Sequence, residues 1–259
     1  MRRRTLASII GTLGIGISIL SGAGSFLPDP VFSANNVMVN RQPDLTEDDL
    51  AYLAQTMRDA PRPRVLVIGN SATLASDFLG HLSRYAQSTG SPATIVRASA
   101  GGARLVETLS IPSLRDLLAT VSWDAIVLQD HSSTPIDEEH RAASFATILQ
   151  VAELAAPASI ILFPHWPSGP GSRIYRSDVN RWDRVPSNPA EYATWAFEHY
   201  HAAAQATGGK VAPVLENWLS ALAAGEDLYL PDAHHANETG ARLAADAVWQ
   251  TLSDSLGQR

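Results

Sequence analysis

The chain has 259 residues, 45% of them hydrophobic, which is enough for one substantial core, and it carries a formal charge of −7 with no cysteine. An acidic balance without any basic stripe excludes nucleic acid and anionic lipid as leading partners. The missing cysteines exclude a thiol nucleophile, a thiolate metal site and a disulfide-stapled fold.

The chain opens with Arg2-Arg3-Arg4, an apolar run from Leu6 to Leu20 diluted by Gly11, Gly14 and Gly16, and small residues at Ser21-Gly22-Ala23-Gly24-Ser25. That order fits a secretory signal, and the run is short and glycine-rich for a transmembrane helix. Arg3-Arg4-Thr5-Leu6 also loosely fits a twin-arginine signal. Residues 1–34 are therefore expected to be an export signal and linker, or an N-terminal membrane anchor if uncleaved, with 35–259 a single domain. Without the three arginines, 16 basic residues face 26 acidic ones, a net charge near −10. The expected partner is a neutral or weakly charged small molecule or polysaccharide.

A leading segment, residues 35–64, contains a helix from about Thr46 to Arg58, with acidic residues crowding its N-terminus and Pro61 and Pro63 stopping it. Alternation follows. Strand Val65–Ile68, helix 74–89, strand Thr94–Ala98, helix 105–119, strand Ala125–Gln129 and helix 137–155 come first. Strand Ser159–Phe163, helix 189–207, strand Val211–Val214, a short helix near 218–224 and a last helix 238–256 complete the chain. Strand–helix alternation predicts an α/β fold, a parallel sheet with helices on both faces. The stretch 164–187 breaks the rhythm and carries His165, Trp166, Arg173, Tyr175, Arg176 and Trp182 among prolines and glycines. It is expected to cover substrate or to pack on its own aromatics. His165 and Trp166, with His131, are candidate substrate contacts.

The apolar run 65–68 closes on Gly69-Asn70-Ser71, and the C-terminal ends of parallel strands are where such sheets gather ligands. Near the end of the chain stands Asp232-Ala233-His234-His235. A free serine hydroxyl needs a base within hydrogen-bond reach, and an imidazole needs a group to fix its tautomer. Ser71, His235 and Asp232 supply nucleophile, base and orienter. Singly, Ser71 reads as a helix cap and Asp232 as a turn residue. His234 reads as structural. A metal site at Asp-His-His lacks further ligands at convincing spacing, and no glycine-rich nucleotide motif is present, so no cofactor or metal is expected.

At these residues the sequence resembles the SGNH (GDSL-like) hydrolase superfamily, in its branch with Gly-Asn-Ser in the first block. The resemblance runs from about Arg64 to Trp249, through Val67-Ile68-Gly69-Asn70-Ser71, Ser99-Ala100-Gly101-Gly102, Ile126 to Ser132, and Asp232 to Gly240. It implies the flavodoxin-like three-layer form of the fold. It also implies an oxyanion hole from the Ser71 N–H, the Gly101 N–H (or that of Gly102) and a side chain of the third block. One good donor of this kind contributes about 3–4 kcal/mol. The family aspartate before the nucleophile is Asn70 here. The third-block asparagine is missing, leaving Gln129 as first candidate and His131 as its competitor.

The expected function is an exported serine esterase that removes short acyl groups, most simply acetyl, with carbohydrate esters as the expected substrate class. A lipase or thioesterase acting on longer chains is the alternative. A non-catalytic binding module on the same fold is the reading from another class.

Overall fold

A computed structural model describes residues 45–178 and 182–257. The expected export signal and linker, and residues 35–44, lie outside the described residues.

Among the described residues five strands form one parallel sheet: β1 (Arg64–Gly69), β2 (Thr94–Ser99), β3 (Ala125–Gln129), β4 (Ser159–Phe163) and β5 (Lys210–Val211), in the order β2-β1-β3-β4-β5. Val65 through Ile68 are fully buried because both faces of the sheet are covered. The period of two sends Leu66 and Ile68 into one core, and Val65 and Val67 into the other. Each such side chain contributes roughly 1.5–3 kcal/mol on burial.

On the Leu66 face pack α1 (Glu47–Arg58), α5 (Pro112–Thr120), α6 (Glu138–Leu154) and α7 (Pro189–Thr207), through Leu50, Leu117, Ile148 and Tyr192. On the Val65 face pack α3 (Phe78–Ser88), α8 (Val214–Ala223) and α9 (Glu238–Leu256), through Leu82, Trp218 and Val248. This is the expected three-layer α/β arrangement. The sheet order reverses at β1, so the ends of β1 and β3 flank a crevice.

Element starts follow local chemistry. Thr46 caps α1 with its side chain while Asp49 reaches back to the Thr46 N–H. Asp137 caps α6, and Asn188 followed by Pro189 opens α7. Among the described residues no helix is long and apolar enough to cross a membrane.

Three expected elements need correction. The helix expected over 74–89 is two, α2 (Ser71–Leu74) and α3, separated where Ser76 and Asp77 take φ of 51° and 55°. The helix expected over 105–119 is also two, α4 (Leu105–Leu109) and α5, because Pro112 fits only the first turn of a helix. The strand expected over 211–214 is the two-residue β5, and Val214 instead begins α8, earlier than the expected start near 218.

Candidate active site

Ser71 is the first residue of α2, directly beyond β1. The turn that carries it is held by buried side chains. Gln129, at the end of β3, accepts the Asn70 N–H on Oε1 at 3.0 Å and donates from Nε2 to the Asp130 carbonyl. Gly69 is needed here, since a Cβ would lie 2.7 Å from Thr73 Oγ1 and 2.8 Å from Gln129 Oε1. Asn70 Oδ1 accepts the Ala72 N–H at 3.1 Å, and its Nδ2 donates to the Ala103 carbonyl at 3.1 Å. A carboxylate could not make that second bond. This is a structural reason for asparagine where the family has aspartate.

The Ala103 carbonyl belongs to a tight turn in which the Ala103 N–H reaches the Ala100 carbonyl. Gly102 takes φ of 69° there, leaving Gly101 exposed beside it. Among the described residues nothing accepts the N–H of Ser71 or of Gly101, so both are free donors.

The imidazole arrives on residues 228–237, closed by an antiparallel bridge between Tyr229 and Ala236. Asp232 Oδ1 accepts the N–H groups of His234 and His235, both at 2.9 Å. Its Oδ2 accepts His235 Nδ1 at 2.6 Å, and His235 Nε2 lies 3.0 Å from Ser71 Oγ. Burial pushes the Asp232 carboxyl upward, but these three hydrogen bonds outweigh it and hold its pKa down to about 2. With Nδ1 donating to a carboxylate, Nε2 is left to accept the serine proton. A serine, imidazole and carboxylate in this order can perform nucleophilic acyl transfer.

The fold supports this loop from two sides. Ser76 Oγ donates to the Ala236 carbonyl at 2.5 Å, next to His235. The break between α2 and α3 therefore joins the serine's helix to the imidazole loop. From below, Trp166 Nε1 donates to the His234 carbonyl at 2.9 Å, and the Gly169 N–H donates to the Ala233 carbonyl at 2.7 Å.

The structure brings together Ser71, His235 and Asp232 of the expected residues, and sets others apart. Gln129 is 1% exposed and both ends of its amide serve backbone groups, so it braces the serine's turn instead of facing a substrate. Trp166, expected to touch substrate, is buried with its ring stacked 4.7 Å from Trp218. His165 is likewise buried, its Nδ1 donating to the Trp166 carbonyl at 2.7 Å, and burial drives its pKa well below the usual value. His234 turns away from Ser71, pairing Nδ1 with Ser168 Oγ at 3.0 Å, and burial with the neighbouring His235 lowers its pKa to about 4. Residues 164–169, expected in a covering loop, are buried supports, and exposure begins at Pro170. Sequence reasoning missed Ser76, and no local signal marks it, because its partner lies across the fold.

A polar cavity of about 460 Å³, lined by Glu138, Arg141, Arg184, Trp195, Glu198 and His199, lies on the α6–α7 face and includes none of the three.

No sequence-family model and no curated protein matches the chain. Solved structures do. A candidate SGNH hydrolase from Slackia heliotrinireducens is 26% identical, with a TM-score of 0.60 over 73% of this chain and 98% of that one. The chain has the fold of the SGNH hydrolases. At the level of fold alone it also matches an acetyl-xylooligosaccharide esterase from Geobacillus, 15% identical with a TM-score of 0.54 over 76% of this chain and 96% of that one. A lipase/acylhydrolase from Enterococcus faecalis is 12% identical, with a TM-score of 0.54 over 75% and 96% of the two chains.

Proposed function

We propose that this protein is a serine esterase of the SGNH hydrolase superfamily that removes short acyl groups, acetyl most simply, through an acyl-enzyme on Ser71. The observation that carries this reading is the continuous chain Asp232–His235–Ser71, with bonds of 2.6 and 3.0 Å. In the first step His235 Nε2 takes the serine proton as Oγ attacks the ester carbonyl. The Ser71 and Gly101 N–H groups receive the developing oxyanion, and the imidazolium returns its proton to the departing alcohol. Water then repeats the sequence on the acyl-enzyme.

The short-acyl preference is supported by surroundings that are polar: His131, Asp232 and His235. Of the exposed large hydrophobic side chains among the described residues, Leu149, Phe197 and Leu230, only Leu230 is near the triad in sequence. A long acyl chain would have little apolar surface to cover. Carbohydrate as the alcohol, and export of the protein, rest on the acidic composition and on the Arg2-Arg3-Arg4 and Leu6–Leu20 pattern.

The test is hydrolysis of p-nitrophenyl esters from acetate to decanoate by the protein beside Ser71→Ala. Serine-dependent turnover that peaks at acetate is expected. A peak at long chains would replace the short-acyl reading with a lipase or thioesterase. No serine-dependent turnover at any length would favour the non-catalytic binding module.

A further inference from the structure

We propose that His131 supplies the third oxyanion donor through Nε2–H, and that Ser133 and His140 are positioning residues that hold it in that tautomer. The inference rests on the serine-esterase reading and identifies the side chain that replaces the donor Gln129 cannot provide.

The proton positions follow from hydrogen-bond bookkeeping. The Ser133 backbone N–H donates to His131 Nδ1 at 3.1 Å. A backbone N–H can only donate, so Nδ1 carries no proton and the neutral ring carries it on Nε2. Ser133 Oγ lies 2.8 Å from the same Nδ1 and 2.7 Å from His140 Nδ1. Because His131 Nδ1 is already an acceptor, the hydroxyl proton points to it, and His140 Nδ1–H donates into Ser133 Oγ. Two donors thus converge on Nδ1. Protonating it would set its N–H against the Ser133 backbone N–H, which can only donate, so the chain favours a neutral ring protonated on Nε2. Burial acts in the same direction and lowers the pKa of His131, against the opposing pull of Asp130 and Glu107 and alongside His140 and Arg104.

Position supports the role. Ile68 pairs with Leu128, so Ser71 and His131 each follow three residues after a paired position at the same end of adjacent strands. Asp130 Oδ1 accepts the His131 N–H at 2.7 Å and the Leu105 N–H at 2.8 Å, which anchors this backbone to the residues following the glycine turn. The His131 ring is half-buried, and its Nε2 has no partner among the described residues. The His165 ring stacks 5.1 Å from His234, whose ring lies 4.9 Å from that of His235, and His131 adds to the electrostatic surroundings of both His165 and His234.

The experiment combines p-nitrophenyl acetate kinetics with a long-range proton–nitrogen spectrum of the imidazoles in the intact protein, the His131 signals being assigned by their loss in His131→Gln. The expected spectrum shows His131 protonated on Nε2 alone. His131→Ala should lower kcat roughly 10²-fold with KM changed less than about threefold, because the donor acts in the transition state. His131→Gln, which restores an N–H donor, should recover part of that loss. Ser133→Ala should lower kcat by about tenfold or less, one neutral hydrogen bond's worth, and produce a measurable Nδ1-protonated fraction that a merely structural change would not. A parent spectrum with the proton on Nδ1 would overturn the proposal. So would a His131→Ala enzyme within about threefold of the parent while Ser71→Ala is inactive. Absence of Ser71-dependent turnover in the parent would instead overturn the esterase reading, and this role with it.

Discussion

On one side of Ser71 a carboxylate steers an imidazole at the surface; on the other, buried amides and hydroxyls brace the strand ends. Asp232 and His235 keep 48% and 30% of their side chains exposed, so water shares the cost of their charge. Gln129 and Asn70 are almost wholly buried, and their side chains bond backbone groups. The charged side can gain and lose a proton during turnover. The neutral side cannot relax, and therefore keeps the serine's turn and the glycine turn in register. Mobile charge and fixed dipoles are thus built in different dielectric surroundings.

Breaking the charged side should give the largest effect. Ser71→Ala is expected to abolish ester turnover while circular dichroism and the unfolding midpoint stay those of the parent; comparable rates would remove Ser71 as nucleophile. Asp232→Asn should follow, lowering kcat by roughly 10³–10⁴-fold because the amide no longer fixes the His235 tautomer. A loss under about tenfold would mean that the two N–H groups on Asp232 matter more than the imidazole.

The neutral side should respond first in stability. Asn70→Asp removes the donor to the Ala103 carbonyl and buries a carboxylate near it, at a cost of about 1–3 kcal/mol. Urea unfolding checks this, and an unchanged midpoint would show that the two turns are not coupled through Asn70. The link between the sides should give a smaller effect. Ser76→Ala loses one hydrogen bond to the Ala236 carbonyl, so kcat should fall about tenfold or less.

The smallest effect is expected in acid. The Asp232 pKa is held below its usual value, so its contribution to stability is present above the ordinary carboxylate range and is lost as pH falls toward about 2. The difference in unfolding midpoint between the parent and Asp232→Asn should therefore narrow over that window. A difference that persisted at the acid end would place the effect outside the carboxylate's titration.

Much of the frame was legible because it is written locally. The buried run Val65–Ile68 and the alternation of strand and helix each depend on neighbours in sequence. Ser71, Asp232 and His235 were legible as a set because their chemistry requires three side-chain types that rarely serve together for packing alone. The break at Ser76 and Asp77 was not legible. Neither residue is a glycine, and the Ala236 carbonyl that holds the Ser76 side chain lies on another element. The short β5 was similarly hidden, since Val211 to Val214 is apolar enough for strand or helix.

Sequence by itself determined the α/β alternation, the buried strand runs and the candidate set Ser71, His235 and Asp232, because periodicity and residue chemistry are local properties. Tertiary structure alone decided which way each polar group is spent. Gln129 turned to the Asn70 N–H, Trp166 and His165 went beneath the imidazole loop, and His131 acquired its tautomer from Ser133 and His140. Hydrogen bonding explains the difference. A side chain's capacity to donate or accept is fixed by its type, but its partner is whatever the fold brings within about 3 Å.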